Sequence, residues 1–255
     1  MSKVIYKLEN GIATISIDRP EALNALSREI IDDIDRIISD LKDDNNVRCL
    51  IIHSDKNFAA GADIKGMADC DVEGAKAFSF TPTFDKIEKL PFPTIAAIEG
   101  YALGGGMELA LTCDIRIAGA SAKMGFPETG LGIFPGAGGT IRVPRLIGPG
   151  LAKELIFTGV NVSSERALMI GLVNQVVSDE EVLGTALKMA ERIAKKGPLA
   201  IRSVKNVIDR GMEMATVSEG TAFEGVEWAK LFDSFDQKEG MKAFMEKRKP
   251  VFQNK

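Results

Sequence analysis

The chain has 255 residues, 45% of them apolar and 27% charged, with 32 Lys+Arg against 36 Asp+Glu and a net charge of −4. That length allows one large domain or two small ones, and the composition is that of an ordinary globular protein. The acidic balance excludes a generally basic nucleic-acid binder; three scattered cysteines and a lone histidine, His53, exclude a disulfide framework, a thiolate zinc site and a centre built on several imidazoles.

Residues 1–10 lack the apolar stretch of a secretory signal and the Arg/Ser-rich look of a transit peptide. No uncharged apolar run reaches about 18 residues; the strongest, Thr94 to Cys113, is broken by Glu99 and Glu108. A cytoplasmic protein with no membrane association is the expectation.

In chain order, an Asn10-Gly11 turn between alternating runs predicts a β-hairpin, its second strand ending at Asp18-Arg19-Pro20. From Ser27, a candidate N-cap, apolar residues from Ile30 to Leu41 fall at helical spacing. Val47 to His53 reads as a buried strand. Residues 54–62 form a Gly/Ala loop, and Asp63 to Met67 open a short helix. A helical stretch through Phe78, Phe84 and Ile87 stops at Pro91-Phe92-Pro93. Thr94 to Glu99 is a strand, Gly100 to Gly106 a glycine-rich turn, Met107 to Thr112 a helix and Ile115 to Ala118 a strand. The glycine-dense stretch 125–139 reads as neither helix nor strand. Helices around 150–158 and 164–170 follow, then a strand Leu172 to Val177, then helices only from 179. Strands alternating with helices predict an α/β core, residues 1–197, and a C-terminal helical region, residues 198–255, divided at Gly197-Pro198. Trp228 and Phe232 lie four apart there and predict a packing face.

Two loops carry the strongest chemical signal. Gly100 to Gly106 follows a strand and opens a helix, where glycine lets a ligand approach the backbone and free N–H groups suit an oxyanion or phosphate. The spacing matches neither a dinucleotide fingerprint nor a P-loop. The same glycines also suit tight strand–helix packing. Phe58 to Lys65 has the same context, so each loop can offer one N–H to one developing negative oxygen. Glu108 lies in an apolar helix and Glu128 in a loop of glycine and apolar residues, where a carboxylate is costly unless paired or functional. Each reads as a carboxylate bonded to local amides or an arginine; together they read as an acid/base pair. Asp63 is most simply an N-cap, Lys65 a surface residue and His53 a structural histidine.

These stretches resemble the crotonase, or enoyl-CoA hydratase/isomerase, family. The matching motifs are Asp18 to Leu26, Phe58 to Lys65, Ala97 to Leu109, Gly125 to Glu128, Gly132 to Gly139, and Phe157 to Gly159 followed by Ala167 to Val173. The resemblance implies a spiral of ββα units whose C-terminal helices serve homo-oligomers, as a trimer or dimer of trimers. It implies an acyl-CoA thioester as substrate, with no metal and no separate cofactor. Residue by residue, it implies that the N–H groups of Ala62 and Gly105 form an oxyanion hole. Ala22, Leu23, Ala60, Asp63, Ile64 and Lys65 fall where the family holds CoA, and Gly104, Tyr101, Pro127 and Gly136 fall in its substrate site.

Hydratases of the family carry glutamate at both matching positions, whereas isomerases often keep one carboxylate or place it elsewhere. The resemblance therefore implies hydration of a trans-2-enoyl-CoA, Glu108 activating the water that attacks C3 and Glu128 delivering a proton to C2. Isomerisation of an enoyl-CoA, hydration of a branched or dicarboxylic enoyl-CoA, and acyl-CoA binding without catalysis are the alternatives. One departure stands out: Phe126 replaces the glutamine often found two residues before the second glutamate. It is expected to alter the acyl wall or to raise the pKa of Glu128 by desolvation.

Overall fold

The computed structural model describes residues 3–255. Strands β1 (Val4–Glu9) and β2 (Ile12–Ile17) form the expected antiparallel hairpin. Asn10 and Gly11 both turn with positive φ, 52° and 78°, which is why this dipeptide closes it. Helix α1 (Arg28–Leu41) begins where Ser27 accepts a hydrogen bond from Ile30 N, and it buries Ile30, Ile31, Ile34, Ile38 and Leu41. Strand β3 (Cys49–His53) follows. Helices α2 (Val72–Phe78) and α3 (Thr81–Glu88) lead to β4 (Thr94–Ile98). Strand β5 (Tyr101–Leu103), helix α4 (Gly105–Leu111), and strands β6 (Ile115–Gly119) and β7 (Lys123–Gly125) come next. Helices α5 (Gly139–Ile147) and α6 (Pro149–Thr158), strand β8 (Val162–Ser163), helix α7 (Ser164–Met169) and strand β9 (Gln175–Val177) complete the core. Helices α8 (Val182–Ala194), α9 (Pro198–Gly211), α10 (Val217–Lys230) and α11 (Phe235–Met245) end the chain.

The main sheet has the order β1-β2-β3-β4-β6-β9 and is parallel from β2 onward. Its central strands are buried on both faces, so they read as unbroken apolar runs rather than alternations. Leu50 and Ile52 of β3 join the core with α1 and α3; Cys49 and Ile51 pack on the opposite face with Val182, Ala186 and Ala190 of α8. A second sheet, β5-β7-β8, runs parallel then antiparallel.

Several elements differ from the sequence reading. Strands β5, β7 and β8 have two or three residues each, too short for periodicity to register, and β5 lies within the predicted glycine turn. The helical stretch before Pro91 is two helices, separated at Ser79-Phe80. The segment 125–139 contains a 3-10 turn, Pro127–Leu131, and its last glycine starts α5, whose Pro144 sits inside the helix. The Asp63–Met67 helix is a single 3-10 turn, Ile64–Gly66, with Asp63 as the expected N-cap. The strand from Leu172 shortens to β9.

Helices α9–α11 bury only Pro198, Asp236 and Ala243. Polar contacts tie this region to the core: Arg202 of α9 and Asn254 of the segment after α11 bond Asn45, and Lys205 of α9 pairs with Asp114. Trp228 and Phe232 pack edge to face at 4.6 Å.

A close backbone approach within the core lies at Gly106. A Cβ placed there would sit 2.1 Å from Ala59 O and 2.8 Å from the Ala59 carbonyl carbon. Gly106→Ala must therefore move backbone, and overpacking of this kind costs about 1–3 kcal/mol or more. At roughly 2–4 °C per kcal/mol for a chain of this size, the expected outcome is a melting temperature lowered by about 2–12 °C, read by circular dichroism.

Candidate active site

The site forms where β5 turns into α4. Ala59 N donates to Tyr101 O and Leu103 N donates to Ala59 O, so residues 59–62 run alongside β5. Gly104 makes the corner at φ 50°, and Gly104 N donates to Gly125 O. These bonds bring the two glycine loops of the sequence together. A Cβ on Gly105 would lie 3.5 Å from Ala62 N. Neither Ala62 N nor Gly105 N donates to a backbone oxygen of the described residues outside the regular elements, so two neighbouring donors are left for another acceptor.

Glu108 stands one turn into α4, its N–H donating to Gly104 O, and is 3% exposed. Its Oε1 accepts from Ala137 N at 2.7 Å and Gly139 N at 2.8 Å. Burial pushes its pKa up; the two N–H donors and the Arg142 guanidinium oppose that rise. The amide-bonded reading of the sequence holds in part: the carboxylate is bonded to backbone amides, but to those of a distant loop rather than local ones.

Glu128, in the 3-10 turn after β7, reaches the same corner. A Cβ on Gly104 would meet its Oε1 at 2.9 Å. Its Oε2 is buried without a hydrogen-bond partner among the described residues. Burial, with a smaller contribution from the nearby negative charge of Glu108, pushes its pKa up to about 7. Phe126 is fully buried in the main core. With no accessible surface it does not face the site as an acyl wall.

Around this centre, Ala60 N donates to Leu23 O, and Leu26 N and Asp63 N straddle Ala62 by bonding Gly61 O and Leu26 O. Ala22 ends a 3-10 turn, Pro20–Ala22. Leu23 and Ile64 are half exposed, and Lys65, next to Ile64 in sequence, is exposed. Asp63 pairs with Arg19 at 2.8 Å, which holds its carboxyl below the usual carboxylate range. Tyr101 is exposed at the start of β5, Pro127 opens the turn that carries Glu128, and Gly136 O accepts from Thr81 Oγ1 at 3.3 Å.

Sequence reasoning missed the supports of these groups. Asn24, buried at φ 59°, accepts from Arg19 N and donates to Asn57 O, tying the loop after β2 to the loop after β3. Arg142 bonds Ala137 O, Asp85 and Glu88. Its partners lie up to 57 residues away, so no local spacing signals them. Among the described residues no cluster of three or more His, Cys, Asp or Glu could hold a metal ion, and no helix is long and apolar enough to cross a membrane.

Comparison with known proteins agrees with this geometry. A profile of the family described as enoyl-CoA hydratase/isomerase matches residues 7–255. The short-chain-enoyl-CoA hydratase of Clostridium acetobutylicum is 42% identical over 253 residues, 98% of this chain and 97% of that protein. The crotonyl-CoA hydratase of Syntrophomonas wolfei is 44% identical over 256 residues, 99% of this chain and 98% of that protein. The crystal structure of an enoyl-CoA hydratase from Bacillus anthracis superposes with a TM-score of 0.96 at 38% identity, covering 99% of this chain and 100% of that one. The chain belongs to the enoyl-CoA hydratase/isomerase family and has the crotonase fold.

Proposed function

We propose that this protein is an enoyl-CoA hydratase that reversibly adds water to a trans-2-enoyl-CoA, giving the 3-hydroxyacyl-CoA. The observation that carries the reading is the convergence of two carboxyl groups, Glu108 and Glu128, on the Gly104 corner beside two unpaired N–H donors. Membership of the family and the hydratase names of its relatives support the reaction class.

The thioester oxygen is assigned to Ala62 N and Gly105 N. Donors placed there stabilise the negative charge that develops as C3 becomes electrophilic, each worth roughly 10²–10³ in rate. Glu108, whose carboxylate form is favoured by two N–H groups, accepts a hydrogen bond from the attacking water and takes its proton. Glu128, with a pKa near 7, carries the proton that passes to C2. The dehydration direction reverses both transfers. Ala22, Leu23, Ala60, Asp63, Ile64 and Lys65 are assigned to CoA, Tyr101, Pro127 and Gly136 to the acyl end, and Gly104 to the substrate site. None of these steps calls on a metal or a redox group.

The C-terminal region, residues 198–255, is assigned to association of copies as a trimer or dimer of trimers. Its support is the apolar surface left by α9–α11, where Ile208, Trp228 and Phe244 are more than half exposed. A mass of one chain by light scattering would overturn that assignment.

With crotonyl-CoA, the absorbance of the conjugated enoyl thioester is expected to fall rapidly in the wild type. Glu108→Gln and Glu128→Gln should each slow it by about 10²–10⁴-fold while still binding acyl-CoA. No absorbance loss in the wild type, across short, long and branched enoyl-CoAs, sinks the hydratase reading. Hydration needs Glu128 protonated, so kcat/KM for hydration should fall as pH rises through about 7.

The same titration leaves a mark on stability without substrate. Native Glu128 keeps its proton between its ordinary pKa of 4.5 and about 7, whereas the unfolded chain releases it. The native state therefore binds more protons in that window, and this group's contribution to stability declines as pH rises through it. Glu128→Gln should gain urea resistance over the wild type between pH 4.5 and 7, and the gain should level off above. A constant difference across that range would show that Glu128 titrates normally.

A further inference from the structure

We infer that Arg142 is a positioning residue for Glu108: it clamps the 136–139 loop to helix α3, and that loop fixes the carboxylate. The inference rests on Glu108 acting in the hydratase reaction proposed above. Arg142 itself touches neither glutamate.

The chain of contacts is continuous. Among the described residues Glu108 Oε1 is held only by the N–H groups of Ala137 and Gly139, so the carboxylate is as well placed as that loop. The loop has no regular structure of its own before Gly139. Arg142 lies one turn into α5 with its side chain 11% exposed. Its Nη1 donates to Ala137 O at 3.0 Å, the carbonyl of the same residue whose N–H binds Glu108. The guanidinium packs directly on the loop: a Cβ on Gly138 would fall 1.9 Å from Nη1. Gly138 has φ 101°, so glycine is required there twice over, by backbone conformation and by the arginine.

The other side of the fork is anchored to α3. Arg142 Nε donates to Glu88 Oε1 at 3.1 Å, and Nη2 donates to Glu88 Oε2 and Asp85 Oδ1, both at 2.7 Å. Two carboxylates and one carbonyl thus fix a planar group in one orientation, a geometry that lysine cannot copy. Thr81 Oγ1, at the start of α3, donates to Gly136 O and holds the loop at a second point. α3 is itself packed into the core through Phe84 and Ile87. The 136–139 loop therefore borrows its rigidity from a helix more than fifty residues away in sequence.

Two titratable groups face Glu108: Arg142 from α5, whose positive charge favours the carboxylate, and Glu128 from the 3-10 turn, which is uncharged below about pH 7. Loss of Arg142 removes the favourable charge. The acid limb of the rate profile, where Glu108 takes up a proton, must then move to higher pH. A misplaced carboxylate also lowers kcat while the distant CoA contacts persist.

The test compares Arg142→Met, Arg142→Lys and the double variant Asp85→Asn/Glu88→Gln with the wild type and Glu108→Gln, using crotonyl-CoA hydration and butyryl-CoA binding. Arg142→Met is expected to lose about 10–100-fold in kcat, the scale of a small misplacement of a reacting group. Its acid limb should shift upward, with butyryl-CoA affinity unchanged. Arg142→Lys should restore the acid limb in part and kcat less. The double variant keeps the cation but frees it, so it should lose kcat with a smaller shift of the limb. Where Arg142→Met does not fold, the double variant and Arg142→Lys carry the test by the same readouts. A folded Arg142→Met with wild-type kcat and acid limb, beside an inactive Glu108→Gln, overturns the positioning role alone. An active Glu108→Gln overturns the reading of the site on which it rests. Parallel loss of kcat and butyryl-CoA binding in folded variants assigns Arg142 to general architecture and also overturns the inference.

Discussion

The structure turns on one close approach: Gly106 lies so near the Ala59 carbonyl that no side chain fits between them. Backbone contact at that distance lets residues 59–62 and the β5–α4 corner act as one unit. The bonds from Ala59 N to Tyr101 O and from Leu103 N to Ala59 O fix their register. Once that register is set, Ala62 N and the start of α4 are neighbours without any side chain having to hold them. The donors proposed to face the thioester oxygen are therefore main-chain atoms on the packed core, which is how preorganisation is achieved at little cost in side-chain entropy.

That constraint carries an electrostatic consequence. A helix pressed so tightly against the core buries its whole length, Glu108 included. A buried carboxylate with no partners would take up a proton. The 136–139 loop opposes this by turning two N–H groups onto Oε1, and α5 begins at the second of those residues. Arg142, in turn, satisfies the Ala137 carbonyl and brings in a positive charge that is itself balanced by Asp85 and Glu88. Each buried charge is thus answered by the next group outward, ending at α3, where the acids are about half exposed.

How much of this was legible in the sequence follows from the range of each interaction. The hairpin at Asn10-Gly11, the Ser27 cap and the apolar stripe of α1 are local, and the residues announce them. The glycine loops and the two glutamates stand out because each violates an ordinary expectation for its surroundings, and their order along the chain carries the family resemblance. Strands β5, β7 and β8 are invisible because two or three residues cannot display a period, although β5 does most to place the site. Helix α5 is hidden by its glycine start and by Pro144, both of which ordinarily argue against a helix. Arg142 and Asn24 escape because their partners are brought near only by folding. Phe126 was expected as a wall; the sequence gives its apolarity but not the direction it faces, and it packs inward.

The two glutamates are chemically identical, so any division of labour between them must come from their surroundings. Glu108 receives two N–H bonds and the field of Arg142; Glu128 has one oxygen buried without a partner and a negative neighbour. Both are desolvated; Glu108 is compensated by two N–H groups and a guanidinium, Glu128 only by its own backbone N–H. Burial lets Glu128 keep its proton as pH rises, up to about 7. Paired carboxylates whose environments separate their proton affinities can serve as base and acid at one pH. The proposed assignment, Glu108 to water and Glu128 to C2, follows from that asymmetry as well as from the motif order. The asymmetry in turn is produced by the 136–139 loop, which reaches one glutamate and not the other. A single stretch of glycine-rich backbone, pinned from α3, thereby distinguishes two like groups that the fold brings to the same corner.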